Sequence, residues 1–392
     1  MPATAPHRTA SAVLTVTALL LAAACSSGDG GTGAPGRSSG GSTSPASSSA
    51  AASGTAAPLP PAKGSARVLR TVTTGLTTPW GLAVLPGGDL LVSSRDDGTI
   101  TRVDVRTGGK TVLGTVSGVF AAGEGGLLGI ALSPSYASDH MIYAYFTSAS
   151  DNRIVRMLHD GKKPAGEQLG APDTVFKGIP KGAIHNGGRI AFGPDGMLYA
   201  GTGESGRRGL AQDRKSLGGK ILRITPEGEP APGDPFPGSP VYSYGHRNVQ
   251  GLAWDSRQRL FASEFGQDTW DELNAIKPGG NYGWPEAEGR STNPAYRNPV
   301  TQWHTDEASP SGIAYVDGVI WVAALKGRRL WRVPLDGTRP AAAPQSFLQG
   351  AYGRLRTVVA AGGGRLWLTT SNTDGRGTPA KGDDRILEVQ VR

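Results

Sequence analysis

The chain has 392 residues, which is enough for one large all-β domain or two domains of ordinary size. Its formal net charge is +8, but no basic run is interleaved with aromatic residues, so nucleic acid is not a predicted partner. The positive balance favours a general contribution to solubility, and a pocket for an anionic cofactor is the alternative. The single cysteine excludes an internal disulfide bond.

Residues 1–25 are predicted to be a lipoprotein-type export signal. A short basic start precedes the apolar run ASAVLTVTALLLAAA, which is too short to span a bilayer comfortably. The run ends at Cys25 in LLLAAAC, which resembles a lipobox except that Ala22 replaces the usual leucine. A lone cysteine before a flexible segment favours lipid attachment at Cys25 over an ordinary secretory signal. The predicted location is extracytoplasmic, with a lipid as the only link to the membrane.

Residues 26–64 consist almost wholly of Ser, Gly, Ala, Thr and Pro. Such a segment buries too little apolar surface to offset the entropy of ordering it, so we expect a flexible tether. This assignment leaves residues 65–392 as one folded domain.

Six segments of this domain share one pattern, in which a small residue, an apolar alternation, a turn and a second alternation lead to a charged strand end. They begin at Gly81, Gly129, Arg189, Gly251, Gly312 and Thr357. Their irregular spacing of roughly 45–60 residues is typical of propeller blades. Alternation by two indicates half-buried strands. The sequence therefore predicts an all-β, six-bladed β-propeller of four-stranded antiparallel blades, with the C-terminal RILEVQV completing a blade begun by RVLRTVTTGL.

One predicted hairpin carries two chemically useful side chains at its ends. His185 precedes the first strand of IHNGGRIAFGPDGMLYAGTGESG, and Glu204 follows the second strand. Because neighbouring strands of a blade run in opposite directions, both side chains can point to one axial pocket. The residue types alone leave open a packing or surface role for His185 and a solvated turn for Glu204.

Further motifs follow one another along the domain. In chain order they are GEGGLLGIALSP, HNGGRIAFGPDG, YSYGHRNVQGLAW, SEFGQDTWDELNAIKPGGNYGWP, SPSGIAY, LKGRRLWRV and GRLRTV. This ordered set resembles the soluble quinoprotein sugar dehydrogenases, which bind pyrroloquinoline quinone (PQQ) on a six-bladed propeller and include the aldose sugar dehydrogenases. The resemblance covers nearly the whole domain. It implies PQQ and Ca²⁺ as cofactors, an aldose substrate and an external electron acceptor.

The resemblance also implies roles for individual residues. His185 matches the general base that takes the proton of a sugar hydroxyl at the quinone, and Glu204 matches the acid that orients it. Arg247 would lie over the quinone carbonyl and stabilise charge as the ring is reduced. Asn248 would donate a hydrogen bond to the adjacent quinone oxygen. We expect His246 to be structural.

A cationic set matches the positions that hold the cofactor carboxylates, and consists of Lys326, Arg354 and Arg356. Without the resemblance, an exposed edge of charges would be the preferred interpretation. Arg354 and Arg356 share one face of a strand, with Leu355 turned inward. Glu124 matches a cofactor-binding position at which the better-known glucose-oxidising members have a glutamine that donates to the cofactor. A carboxylate beside a tricarboxylate is unfavourable unless it is protonated or balanced by nearby cations.

The calcium prediction follows from the resemblance as well. In the family two consecutive backbone carbonyls hold a Ca²⁺ that also touches the cofactor, and the matching residues are Gly266 and Gln267. Gln267 replaces the usual proline, although a carbonyl remains. A second calcium in some members uses a glutamate side chain and a tyrosine carbonyl, which Glu272 and Tyr282 match. Oxygen ligands are those that this hard cation prefers.

The predicted function is that of an exported dehydrogenase that oxidises the anomeric hydroxyl of an aldose to a lactone. Two alternatives are a non-catalytic propeller scaffold and a metal-dependent lactonase on a propeller. A scaffold has no need of the predicted catalytic set. A lactonase needs several Glu, Asn and Asp side chains around an axial calcium, whereas the axial candidates here are mostly cations. The candidates for residues that line the substrate mouth are Trp303, His304 and residues 289–299. They do not identify the sugar.

Overall fold

The computed structural model of the protein describes residues 59–392, and this part of the chain is built almost entirely from β-strands. The first thirteen strands are β1 (Ala66–Thr73), β2 (Pro79–Val84), β3 (Leu90–Ser94), β4 (Thr99–Val103), β5 (Lys110–Thr115), β6 (Leu127–Leu132), β7 (Met141–Thr147), β8 (Asn152–Leu158), β9 (Asp173–Ile179), β10 (Ile190–Phe192), β11 (Leu198–Gly201), β12 (Lys220–Ile224) and β13 (Val241–Tyr244). The other strands are β14 (Val249–Trp254), β15 (Leu260–Glu264), β16 (Trp270–Ala275), β17 (Thr301–His304), β18 (Pro310–Val316), β19 (Val319–Ala324), β20 (Arg329–Asp336), β21 (Arg339–Pro340), β22 (Gln345–Phe347), β23 (Leu355–Gly362), β24 (Arg365–Thr370) and β25 (Ile386–Val391). Helix α1 (Tyr136–Asp139) and a 3₁₀ turn (Arg208–Ala211) are the helical elements of residues 59–392, and neither could cross a membrane.

The strands form six antiparallel sheets, which confirms the predicted propeller. Blades 1 to 4 are β2–β5, β6–β9, β10–β13 and β14–β17, blade 5 is β18–β22, and blade 6 is β23, β24, β25 and β1. Blade 5 departs from the expected four strands, because β20 pairs with both β21 and β22. The inner strands β2, β6, β10, β14, β18 and β23 lead from blade to blade, and β23 contacts β2 to close the ring.

The ring closes within blade 6, where the two ends of the domain meet. Strand β1 pairs antiparallel with β25, with Ala66 opposite Val391 and Thr73 opposite Ile386. This pairing confirms the predicted closure by RILEVQV and RVLRTVTTGL.

The hydrophobic core is divided into six clusters, one between each pair of neighbouring blades. Alternation along each strand explains this division, since successive side chains point to opposite faces of a blade. Leu198 packs between blades 2 and 3, whereas its neighbour Tyr199 packs between blades 3 and 4. A single blade could bury neither face, so the six blades fold as one unit.

The last residues of the predicted tether contact the propeller. Arg332 of β20 is fully buried, and its Nη2 donates to the carbonyl oxygen of Pro61 at 2.8 Å. The backbone N–H of Gly64 donates to Oε1 of Gln345 at 2.8 Å. The predictions for residues 1–58, including the export signal and lipidation of Cys25, lie outside the described residues.

Candidate active site

Apart from Glu272 and Tyr282, the predicted site residues lie where the first strand of a blade begins or the second strand ends. They are Glu124 before β6, His185 before β10, Glu204 after β11, Arg247 and Asn248 before β14, Gly266 and Gln267 after β15, Lys326 after β19, and Arg354 and Arg356 at the start of β23. First and second strands are antiparallel, so these positions share one face of the disc. We call this the site face.

His185 and Glu204 form a hydrogen-bonded pair at the site face. Nδ1 of His185 contacts Oε1 of Glu204, and the two side chains are 12% and 1% exposed. An ionised carboxylate can only accept a hydrogen bond, so Nδ1 carries the proton and Nε2 keeps its lone pair. Gly203 allows the close approach, because a Cβ there would lie 1.9 Å from the carbonyl oxygen of His185. The pair thus presents a basic nitrogen with its ring orientation fixed.

Arg247 and Asn248 enter the same site from blade 4. The N–H of Glu204 donates to the carbonyl oxygen of Arg247 at 2.9 Å, and the N–H of Gly187 donates to Oδ1 of Asn248 at 2.9 Å. Three buried polar atoms here have no hydrogen-bond partner among the described residues, namely Nε of Arg247, Nδ2 of Asn248 and Oε2 of Glu204. Burial lowers the pKa of Arg247. Unpaired buried donors cost about 1–3 kcal/mol each, so this cluster is suited to a ligand that supplies acceptors.

A narrow hollow at the axis is lined by residues from blades 1, 2, 4, 5 and 6, and we call it the axial hollow. Its charged residues are Arg95, Glu124, Arg354, Arg356, Asp374 and Arg376. Nη2 of Arg354 and Nη2 of Arg356 both donate to Oδ2 of Asp374, at 2.9 and 3.1 Å. Burial opposes ionisation of Asp374, but Arg356 and Arg354 outweigh it and lower its pKa. Arg95 also pairs with Asp96 at 2.6 Å, so four arginines face three carboxylates and the hollow keeps a positive charge.

A further cation lies beneath this hollow. Arg189 is 8% exposed and stacks on Trp80, with its guanidinium carbon 4.4 Å from the ring centroid. Its hydrogen-bond acceptors are uncharged, the carbonyl oxygen of Gln250 at 2.7 Å and Oγ1 of Thr357 at 3.0 Å. Burial, with a smaller effect of Arg356, lowers the pKa of Arg189 to about 9. Arg189 therefore adds positive charge that no carboxylate among its contacts offsets.

The carboxylate of Glu124 is held by a backbone N–H group and by an arginine. Oε2 accepts from the backbone N–H of His185 at 2.9 Å, and Oε1 pairs with Nη2 of Arg376 at 2.7 Å. Arg376 is 62% exposed and comes from the loop after β24, so this ion pair spans the mouth of the axial hollow. The balancing cation that the sequence required is thus Arg376.

An acidic cavity adjoins the axial hollow, and Phe265 lines both. The acidic cavity is lined by Glu264, Glu272 and Glu288, and Arg247 is the one cation among the described residues around it. Burial, with a smaller effect of Glu264, raises the pKa of Glu272 to about 8. Buried carboxylates of this kind are stabilised by a bound cation.

Backbone oxygens would have to contribute to any metal site here. Residues 59–392 contain no cluster of three or more His, Cys, Asp or Glu side chains arranged to hold a metal ion. The carbonyl oxygens of Gly266 and Gln267 accept no hydrogen bond from the described residues. Gly266 and the buried Glu272 and Tyr282 all line the acidic cavity. Both residues of the second predicted calcium site, Glu272 and Tyr282, therefore line this cavity, together with Gly266 of the first site. Gln267 follows Gly266 in the same loop.

Comparison with known proteins identifies the family. The glucose/sorbosone dehydrogenase family model matches residues 76–379. This chain belongs to the glucose/sorbosone dehydrogenase family. Its enzyme class is that of an oxidoreductase, as the sequence motifs indicated.

Relatives of this dehydrogenase share its fold and much of its length. The PQQ-bound form of aldose sugar dehydrogenase from Streptomyces coelicolor matches with a TM-score of 0.85 and 78% identity, covering 85% of this chain and 100% of that one. Aldose sugar dehydrogenase YliI from Escherichia coli is 29% identical over 76% of this chain and 89% of its own. Quinoprotein glucose dehydrogenase B from Acinetobacter calcoaceticus is 30% identical over 58% of this chain and 54% of its own.

Among residues 59–392, the side chains of three predicted residues form no hydrogen bond or ion pair with the site residues described above, namely Lys326, Trp303 and His304. Lys326 is exposed, and no ion pair joins it to another described residue. Trp303, a candidate for the mouth, is 4% exposed and packs between blades 4 and 5, because it points inward from β17. His304 is the outward neighbour and stacks on Trp270 with ring centroids 4.2 Å apart. His246 is fully buried between Ser243 and Glu264, as expected of a structural residue.

Several site residues were missed by sequence reasoning. They are Trp80, Arg95, Arg189, Phe265, Glu288, Asp374 and Arg376. Arg189 and Phe265 lie inside quoted motifs, but only the residues with an obvious chemical role were singled out there. Asp374 and Arg376 lie in a loop whose letters, SNTDGRGTPA, carry no local signal.

Proposed function

We propose that this protein is an exported, lipid-tethered, PQQ-dependent dehydrogenase that oxidises the anomeric hydroxyl of aldoses to lactones. PQQ and Ca²⁺ are its proposed cofactors, and an external acceptor takes up the two electrons. Family membership and the 78% identity to an aldose sugar dehydrogenase with bound PQQ support the reaction and the cofactor. The sequence of residues 1–25 supports export and the lipid on Cys25.

The observation that carries the proposal is the set of unpaired donors beside a positively charged hollow. Nε of Arg247 and Nδ2 of Asn248 are buried and have no hydrogen-bond partner within residues 59–392, and both could donate to acceptors on a bound quinone. Arg354, Arg356 and Arg376 suit the carboxylates of PQQ, because guanidinium groups bind carboxylates in two-point geometry. A scaffold would gain nothing from retaining unpaired buried donors.

Calcium suits the neighbouring acidic cavity. Glu264 and Glu272 supply carboxylate oxygens and negative charge for a calcium in this cavity. A cation here would relieve the repulsion between those two carboxylates, which contributes to the raised pKa of Glu272. The carbonyl oxygens of Gly266 and Gln267, which accept no hydrogen bond from the described residues, are neutral, hard ligands for a separate calcium at the cofactor.

The chain's own residues account for the proton in the proposed reaction. Oxidation at the anomeric carbon removes one hydride and one proton, and bound PQQ would supply the hydride acceptor. Nε2 of His185 takes the hydroxyl proton, since Nδ1 already donates to Glu204. The buried Glu204 carboxylate then stabilises the imidazolium. Arg247 supplies positive charge where negative charge develops.

Reconstitution tests the function as a whole. The purified cofactor-free protein is mixed with PQQ and Ca²⁺, separately and together, and reduction of a dye is followed with a panel of aldoses. Activity is expected only when both are added. Equal dye reduction without PQQ would contradict the cofactor assignment.

Cell fractionation tests the tether. A Cys25→Ala chain is expected to leave the membrane fraction for the soluble extracytoplasmic fraction, because the proposed anchor is a lipid on this residue. An unchanged distribution of the Cys25→Ala chain would contradict lipid anchoring without affecting the proposed reaction.

Glu124 and Arg376 should affect PQQ affinity in opposite directions. Glu124→Gln removes a negative charge from the hollow and should tighten PQQ binding, whereas Arg376→Gln removes a positive charge and should weaken it. We expect each dissociation constant to change about tenfold, which corresponds to roughly 1.4 kcal/mol of binding free energy. Fluorescence titration measures both dissociation constants. Stability should barely change in Arg376→Gln, because an exposed ion pair contributes about 0–1 kcal/mol. Shifts of the same sign in both variants would contradict the assigned polarity of the hollow.

A further inference from the structure

We propose that Glu288 is a positioning residue that turns the carbonyl oxygens of Gly266 and Gln267 outward to form the cation site. This inference rests on the proposed function, because it concerns the Ca²⁺ of that function. Glu288 belongs to the segment between β16 and β17, and its carboxylate lies against the loop that joins β15 to β16.

Four consecutive backbone N–H groups, three of this loop and that of the first residue of β16, donate to one carboxylate oxygen, Oε1 of Glu288. They belong to Gln267, Asp268, Thr269 and Trp270, at 2.7, 3.0, 2.9 and 3.0 Å. Successive N–H groups that converge in this way form an anion-binding concavity, and here a side chain of the same chain fills it. The carboxylate therefore fixes the orientation of four peptide planes at once.

The orientation of the carbonyls follows from the planar trans peptide. In each such unit the N–H and the preceding C=O point in opposite directions. Because the N–H groups of Gln267 and Asp268 point at Glu288, the carbonyls of Gly266 and Gln267 point to the other side of the loop. Two adjacent oxygens free of hydrogen bonds from the described residues are thus presented together.

The fit between loop and carboxylate is close. A Cβ on Gly266 would lie 1.9 Å from the carbonyl oxygen of Trp270 and 2.6 Å from Oε1 of Glu288, so only glycine allows this approach. The N–H of Gly266 is held separately by Oδ1 of Asp271 at 2.9 Å.

Calcium affinity of the full chain tests the assignment. Protein freed of metal by chelation is titrated with Ca²⁺ by calorimetry at saturating PQQ, and the melting temperature of each calcium-free variant is recorded. Glu288→Gln loses the charge that gathers the four N–H groups, and Glu288→Asp keeps the charge but is too short to reach them all. Both are expected to weaken Ca²⁺ binding by about 10–100-fold, as is typical when a group that orients a metal ligand is changed. Glu286→Gln, an exposed neighbour, is the matched control and should bind as the wild type does.

The outcomes separate this inference from the proposed function. Wild-type calcium affinity in Glu288→Gln would overturn the positioning role. Weakened binding in Glu288→Gln together with wild-type affinity in Glu288→Asp would overturn it as well, because the effect would then come from the charge alone. A purely structural role predicts a lower melting temperature of the calcium-free protein with an unchanged calcium dissociation constant, which would also overturn it. Failure of the wild type itself to bind Ca²⁺ would overturn the calcium part of the proposed function, and the role of Glu288 with it.

Discussion

Replacing His185 with glutamine is expected to lower kcat by about 10²–10⁴-fold, the usual contribution of a general base. The amide cannot accept the hydroxyl proton, although it fills a similar volume and can still bond Glu204. PQQ should remain bound, because the arginines of the axial hollow are untouched. Stopped-flow reduction of the enzyme by saturating aldose measures the chemical step, and the absorbance of bound PQQ measures occupancy.

A matched histidine substitution controls for this experiment. His159 follows β8, at the opposite end of the strands from the site face, and its Nδ1 contacts the hydroxyl of Tyr136 at 2.5 Å. His159→Gln should leave kcat unchanged. Full turnover in His185→Gln would remove His185 from the mechanism, and loss of bound PQQ in that variant would assign it to cofactor binding instead.

Glu204→Gln is expected to lower kcat by a similar factor, up to about 10⁴-fold. Without the buried carboxylate that orients it, the histidine can adopt the tautomer that is inactive as a base. The amide can donate to Nδ1, which would move the proton to Nε2 and block the base. Because the Glu204 side chain is 1% exposed, water cannot stabilise the imidazolium in place of the lost carboxylate. The KM for the sugar should change little, since the carboxylate acts through His185.

The double variant tests whether the two residues act as one unit. His185→Gln combined with Glu204→Gln should lose no more than about the larger single loss, as is usual for residues of one catalytic unit. Glu227→Gln, an exposed glutamate, is the control for a general loss of charge. Losses that multiply in the double variant would show that Glu204 acts independently of the imidazole.

The fold could be predicted because its information is local. Pro194, Asp195 and Gly196 predict a turn, and Gly196 adopts a φ of 76° there. Leu198 and Ala200 alternate inward, and both are fully buried between blades 2 and 3. Such signals repeat in every blade, so a single irregular segment did not obscure the pattern.

The site could be predicted only where a motif preserved it. His185 and Glu204 flank one hairpin, so strand direction alone brings them to one end. The partnership of Glu124 with Arg376 joins blade 2 to a loop of blade 6 that lies 252 positions further along the chain. Such a contact follows from the closure of the ring, and no local sequence pattern around either residue indicates it.

Glu288 illustrates a second limit. Its role depends on four backbone N–H groups, which every residue but proline possesses, so no side-chain pattern marks them. The same holds for the carbonyls of Gly266 and Gln267. Backbone sites of this kind become visible only when the peptide planes are known.

A crystal structure of the protein soaked with PQQ and Ca²⁺ would test most directly whether loops of separate blades build one pocket for an acidic quinone. We predict density for PQQ in the axial hollow, with its carboxylates toward Arg354 and Arg356 and new acceptors for Nε of Arg247 and Nδ2 of Asn248. Clear density for PQQ bound elsewhere, with those two donors still unpaired, would contradict the account.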